Sequence, residues 1–130
     1  MERTARLQSI FLVIAALGLI PVAVSYGAVP GSSLPWLFGI DATGVNTRHI
    51  FRAMTGLYLA MVVFWLAGAV TPSLKVPALW SLVVFMLGLA IGRLASLVLD
   101  GWPDPFLVSS LVAEIVLGYI GWRLLAADPA

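Results

Sequence analysis

Apolar residues fall along this chain in four long runs, at about 7–28, 50–70, 77–99 and 106–126, separated by short polar breaks. Each run is close to the roughly 20 residues that a helix needs to cross the hydrocarbon of a bilayer. Backbone N–H and C=O groups cannot stay unpaired in lipid, so such runs fold as helices. None shows the period-two alternation of a barrel strand. The breaks agree with this reading. Residues 29–48 are rich in Gly, Ser and Pro and hold the apolar group Leu34, Pro35, Trp36, Leu37 and Phe38, expected in the membrane interface. Thr43, Asn46 and Thr47 stand where caps for the second helix belong. Residues 71–76 and 100–105 are short links that force antiparallel neighbours. The pattern predicts an all-α integral membrane four-helix antiparallel bundle, a single transmembrane domain over 1–130, with a long Gly/Pro-rich outer loop between helices one and two.

Composition strengthens the membrane reading. The chain is 62% hydrophobic and 10% charged, with a mean hydropathy of +1.07. An ordinary soluble domain carries about 25% charged residues, and 13 charged side chains cannot cover a soluble surface of this size. A net charge of +1 gives no basic field for nucleic acid. The absence of Cys excludes disulfides, thiol catalysis and thiolate metal sites, and one histidine with six carboxylates argues against a dedicated metal site. No cofactor is expected.

The distribution of Lys and Arg sets an expected orientation. With the N-terminus cytoplasmic, the inside holds Arg3, Arg6, Lys75 and Arg123, and the outside Arg48, with Arg52 just within helix two. The bias favours both termini inside, in a bacterial inner membrane. A cleaved leader ending near Gly27 or Ala28 is the weaker reading. The apolar run exceeds a usual h-region, and Pro21 with Tyr26 makes no clean small-residue cleavage site.

The few charges at membrane depth are the informative chemistry. An ionisable group deep in a bilayer costs at least about 2.5 kcal/mol, so its position has a reason. At 1.5 Å per residue, Arg52 lies roughly 6 Å below the outer boundary, Arg93 about 10 Å and Glu114 about 13 Å. Arg48, His49, Asp100 and Asp104 sit just above them. Helical spacing groups Arg52 with Gly56 and Ala60, Gly88 with Gly92 and Ser96, and Ser110 with Glu114 and Gly118. Small residues at this spacing mark close helix approach, so the deep charges are expected to face other helices. The simplest arrangement pairs Glu114 with Arg93, and Arg52 or Asp100 completes the network. The candidate polar cluster is thus Arg52, Arg93, Ser96, Asp100, Glu114 and His49.

A structural ion pair that only fixes packing is the plain alternative to a site for an anionic or polar ligand. His49, alone at a helix start, reads as an interfacial residue. Gly88 and Gly92 read as an internal packing face. Trp36, Trp102, Trp122 and Tyr26 read as interface anchors. Ser96 and Ser110 have no accompanying base, so no catalytic residue is assigned.

The segment from Arg52 through Gly56 to Leu59, after a Gly/Pro-rich outer loop, and the Gly92-Arg93…Ser96…Asp100-Gly101 run resemble a bacterial four-helix membrane family catalogued only as a domain of unknown function, broadly similar to DoxX-like proteins. The resemblance spans nearly the whole chain and implies a compact bundle in the bacterial inner membrane, with no established substrate, cofactor or catalytic residue. The histidine pairs that a haem would need are absent.

Three functions follow as expectations. The first is a non-enzymatic accessory subunit or bundle binding lipid or a small molecule, its partners being the bilayer and either a membrane protein or an apolar or anionic ligand. The second is a proton-coupled transporter working as a dimer, against which helix one carries no charge within the membrane. The third is an enzyme using Glu114 as general acid on an apolar substrate, which an enclosed cavity beside Glu114 favours and solid packing there opposes.

Overall fold

A computed structural model describes residues 1–127 and is all-α. It contains α1 (Glu2–Gly27), α2 (Pro30–Phe38), α3 (Val45–Val70), α4 (Pro72–Leu99) and α5 (Pro105–Ala126). All except α2 are long and apolar enough to cross a membrane. The expected boundaries shift where local chemistry extends a helix. Residues 29–48 are not simply a loop. Pro30 opens α2, where a missing N–H costs nothing. Gly39 ends it at φ 64°, its N–H turned back on the Leu34 and Pro35 carbonyls. The link expected at 71–76 reduces to Thr71, because Pro72 sits in the first turn of α4 and Pro77 is accommodated in the helix behind it.

The caps expected before α3 are not used: Gly44 is its N-cap, with no side-chain bond. Asp41 instead accepts the Thr43 N–H at 3.0 Å. That bond holds the exposed Asp41 carboxyl below its ordinary range. Asp104 does cap α5, accepting the Phe106 N–H at 2.9 Å.

Lipid tails are as apolar as leucine, so packing and polar cross-links rather than hydrophobic burial hold membrane helices together. α1 and α3 show both. Ser9 donates to the Ala69 carbonyl at 2.8 Å and Thr55 to the Ala23 carbonyl at 2.7 Å. A Cβ on Gly27 would lie 2.5 Å from the Phe51 carbonyl oxygen. As position rises along α1 from Ser9 to Gly27, its partner in α3 falls from Ala69 to Phe51, so the two run antiparallel. α4 and α5 pack in the same sense: Gly118 lies against Leu87 and Gly121 against Val83.

α3 meets α4 through Gly68 against Ala78 and through the fully buried Trp65, whose indole N–H donates to Ser81 at 3.0 Å. Near the chain termini Gln8 donates to the Leu124 carbonyl and Lys75 to the Ala5 carbonyl, joining α1 to α5 and α4 to α1.

The small-residue faces divide. Gly118 and Gly121 are buried against α4, as expected. Gly56, Gly88 and Gly92 are exposed, and a Cβ on any of them meets nothing within 4 Å. Ala60 and Ser96 are exposed too. The stripes on α3 and α4 therefore face away from the packed helices, because Tyr58, Val62, Trp65 and Met86 make the inward faces.

This division predicts opposite results for two glycines. Gly27→Val should lower unfolding stability by about 1–3 kcal/mol through overpacking. Gly88→Ala should leave it unchanged or slightly raised. Thermal unfolding in detergent checks both.

Candidate functional site

Arg93 lies on α4 two turns from its end, and Glu114 sits in the middle of α5. The close approach at Gly118 and Gly121 sets the register that brings the two side chains together. Both oxygens of Glu114 lie 2.9 Å from Arg93 Nε. The carboxylate thus straddles a single N–H instead of meeting the two-pronged edge that a guanidinium often offers. The Glu114 side chain is 9% exposed and that of Arg93 22%.

Beside this contact, Nη2 of the guanidinium donates to the Tyr26 hydroxyl at 3.5 Å. Of the five N–H groups on an arginine, two meet an acceptor among the described residues, and three do not.

Neither residue expected to complete the network does so. Arg52 is exposed on α3 and donates to the carbonyls of Gly27 and Ala28 at 3.3 and 3.5 Å. The end of α1 leaves carbonyls without helical partners, and an arginine from the neighbouring helix satisfies them. Asp100 accepts from Ser96 at 2.7 Å on the exposed end of α4. His49 is exposed in the first turns of α3.

The partners that sequence reasoning missed are aromatic. Tyr26, expected as an interface anchor, is 7% exposed and buried beside Arg93. Its ring packs on Phe38 of α2, Phe51 and Tyr58, at centroid distances of 5.6, 5.9 and 5.5 Å. Tyr58 continues to Phe85 of α4 at 5.1 Å. The aromatics come from four helices, α1 to α4, and only Phe51 and Tyr58 share one, so spacing within a helix does not mark the set. Trp36 and Trp102 are exposed, as interface anchors require.

Beside the ion pair lies a cavity of about 270 Å³, between α1 and the α4–α5 pair. Ile14, Leu19, Met86, Leu89 and Leu117 give it an apolar body, while Arg93, Glu114 and Ser110 form a polar end. Ile14, Gly18 and Ala113 line it from the exposed surfaces of α1 and α5. It therefore opens sideways between those helices, at mid-helix. A smaller cavity of about 100 Å³ lies on the other side of Arg93, reaching Ser96 and Pro103. Among the described residues no cluster of His, Asp or Glu is placed to hold a metal.

The sequence profile of a domain of unknown function, DUF4345, matches residues 7–125, and the chain belongs to that family. No curated protein and no solved structure matches it. The family and the four apolar helices make this a membrane protein of unknown specific function.

Removing one member of a buried ion pair leaves the other charge unpaired, which costs about 3–5 kcal/mol. Arg93→Leu and Glu114→Leu should each destabilise by that order. The double variant should recover most of the loss, because no uncompensated charge remains. A double-mutant cycle from unfolding in detergent measures the coupling.

Proposed function

We propose that this member of the DUF4345 family is a four-helix antiparallel bundle, a single transmembrane domain with α2 in its outer loop, that binds a lipid or other small apolar molecule beside a polar centre. The observation that carries the reading is the cavity. It has an apolar body, a polar end at Arg93 and Glu114, and an opening on the surface that mid-helix residues present to lipid. Its volume is close to the lower end of the ~300–1,000 Å³ range of ligand pockets. Ser96 lines the smaller cavity beyond Arg93 and is held by Asp100, while Arg52 and His49 belong in this reading to the interface above.

An accessory-subunit role is part of the same proposal: the exposed small-residue faces of α3 and α4 offer close approach to a second membrane protein. A DoxX-like architecture is included too, without its quinol chemistry, since the chain's single histidine is the exposed His49.

A cavity beside Glu114 raises a second reading, an enzyme with Glu114 as general acid, though this one opens sideways and is not the enclosed space that reading calls for. Two features weigh against it: both Glu114 oxygens accept from Arg93, and among the described residues no second carboxylate lines the cavity. Proton-coupled transport has no comparable observation behind it.

For orientation, Arg3, Arg6, Lys75 and Arg123 lie at the end holding both termini, and Arg48 and Arg52 at the other. The proposed placement is a bacterial inner membrane with cytoplasmic termini. The chain has no cysteine, so single cysteines can be read without background. Ser73→Cys should be labelled only after the membrane is permeabilised, and Ser33→Cys in intact cells. The reverse pattern overturns the orientation.

Binding is tested by native mass spectrometry after gentle extraction, comparing the wild type with Gly18→Phe. The new ring is placed to obstruct the opening at Gly18, where a Cβ meets nothing within 4 Å. A co-purifying small molecule on the wild type, lost in a variant of unchanged unfolding midpoint, is the expected result. A bare wild-type chain identical to the variant removes the reading.

A further inference from the structure

The polar end of the cavity also specifies what kind of head group it receives. We infer that the site takes a single-chain amphiphile whose head is an uncharged hydrogen-bond acceptor, a carbonyl or ester, entering sideways from the bilayer between α1 and α5. This rests on the binding function proposed above and narrows it.

Charge comes first. The cavity's charged lining is one guanidinium and one carboxylate, already paired at 2.9 Å. The site is neutral before a ligand arrives. An anionic head would set a second negative charge beside Glu114 around one Arg93, and like charges sharing a low-dielectric site repel strongly. A cation would face Arg93 in the same way. An uncharged head meets neither penalty.

Donor supply comes second. Arg93 keeps three N–H groups without an acceptor among the described residues. Ser110 spends its proton on the Phe106 carbonyl at 3.0 Å. Both Glu114 oxygens already accept from Arg93 Nε. Glu114 and Ser110 keep lone pairs of their own, but the charged groups left without a partner at this end are N–H donors, which an acceptor oxygen satisfies.

Size and access complete the argument. A cavity of about 150 Å³ lined by apolar groups binds benzene, and about 270 Å³ holds a head group and part of one chain. Two acyl chains of a phospholipid do not fit. α1 and α5 meet at Gln8 and Leu124, but Gly18 has no neighbour within 4 Å of where a Cβ would stand. The missing side chain leaves the wall open at that level. A tail longer than the cavity continues through this gap into lipid.

The test uses three probes of equal chain length. Purified protein in maltoside micelles is incubated with equimolar methyl laurate, laurate and dodecane at mildly alkaline pH. After repurification, the retained probes are quantified by gas chromatography. Methyl laurate should be retained over both others by about tenfold, as a hydrogen bond from a charged donor supports. The Arg93→Leu/Glu114→Leu double variant, which keeps no unpaired charge, should hold all three probes equally. Gly18→Phe should hold none.

Preference for laurate overturns the inference in favour of an anion site. Equal retention of all three by the wild type also overturns it and leaves the binding function standing. Retention of none removes both. Displacement of the ester, mole for mole, by a two-chain phosphatidylcholine overturns the single-chain part.

Discussion

A charge inside a membrane has to be answered by another group, and in this protein the answer is Arg93 on Glu114. Each side chain alone would sit at a depth where lipid offers it nothing. Together, at 2.9 Å, they form a neutral unit that fixes how α4 lies along α5. Slipping one helix past the other by a single turn, about 5.4 Å, would break the pair. The glycines at 118 and 121 leave room for the Leu87 and Val83 side chains of α4 on the same face of α5. Most of the remaining surface of α5 is exposed.

The same solvent explains how the remaining helices are held. Apolar side chains gain little by leaving lipid for one another, so specificity comes from polar groups that must find partners and from backbones that can approach. Ser9, Thr55, Gln8 and Trp65 each place one hydrogen bond across a helix contact. Gly27 and Gly68 stand where two helices nearly touch. The result is a strongly joined α1–α3 pair and a strongly joined α4–α5 pair. Tyr26, Tyr58 and Phe85 carry contact between them at the level of the ion pair. The large cavity occupies the space that this division leaves.

Legibility in the sequence follows from the same physics. The spans were readable because unpaired backbone in lipid leaves one solution for a run of twenty apolar residues. The Arg93–Glu114 pairing was readable because two opposite charges at similar depth on adjacent helices have few alternatives. What failed was reading direction from small residues alone. Gly56, Gly88 and Gly92 share the spacing of Gly118 and Gly121, yet they face outward. A stripe of glycine permits close approach without requiring it. Arg52 was misplaced because an arginine has two uses near a membrane boundary, joining a buried carboxylate or closing a neighbour's free carbonyls, and the second won. Tyr26 was read as an anchor because its depth suits one. Only the fold shows that α2 covers it, with Phe38 on its ring.

A purely structural ion pair and a binding centre make different demands on the same two residues. If the pair served packing alone, the most economical form would join the two-pronged edge of the guanidinium to both carboxylate oxygens and surround it with side chains. Here the carboxylate takes one N–H, Nη2 is left with a long contact to Tyr26, and Arg93 lines two cavities. The guanidinium N–H groups without acceptors are not sealed in the interior, where they would be costly: every fully buried side-chain N or O atom among the described residues has a partner. Glycine at position 18 leaves the wall of the larger cavity open, with nothing within 4 Å of where a Cβ would stand. That space is left open, next to donors left over, is the reason to read the pair as a place where something binds.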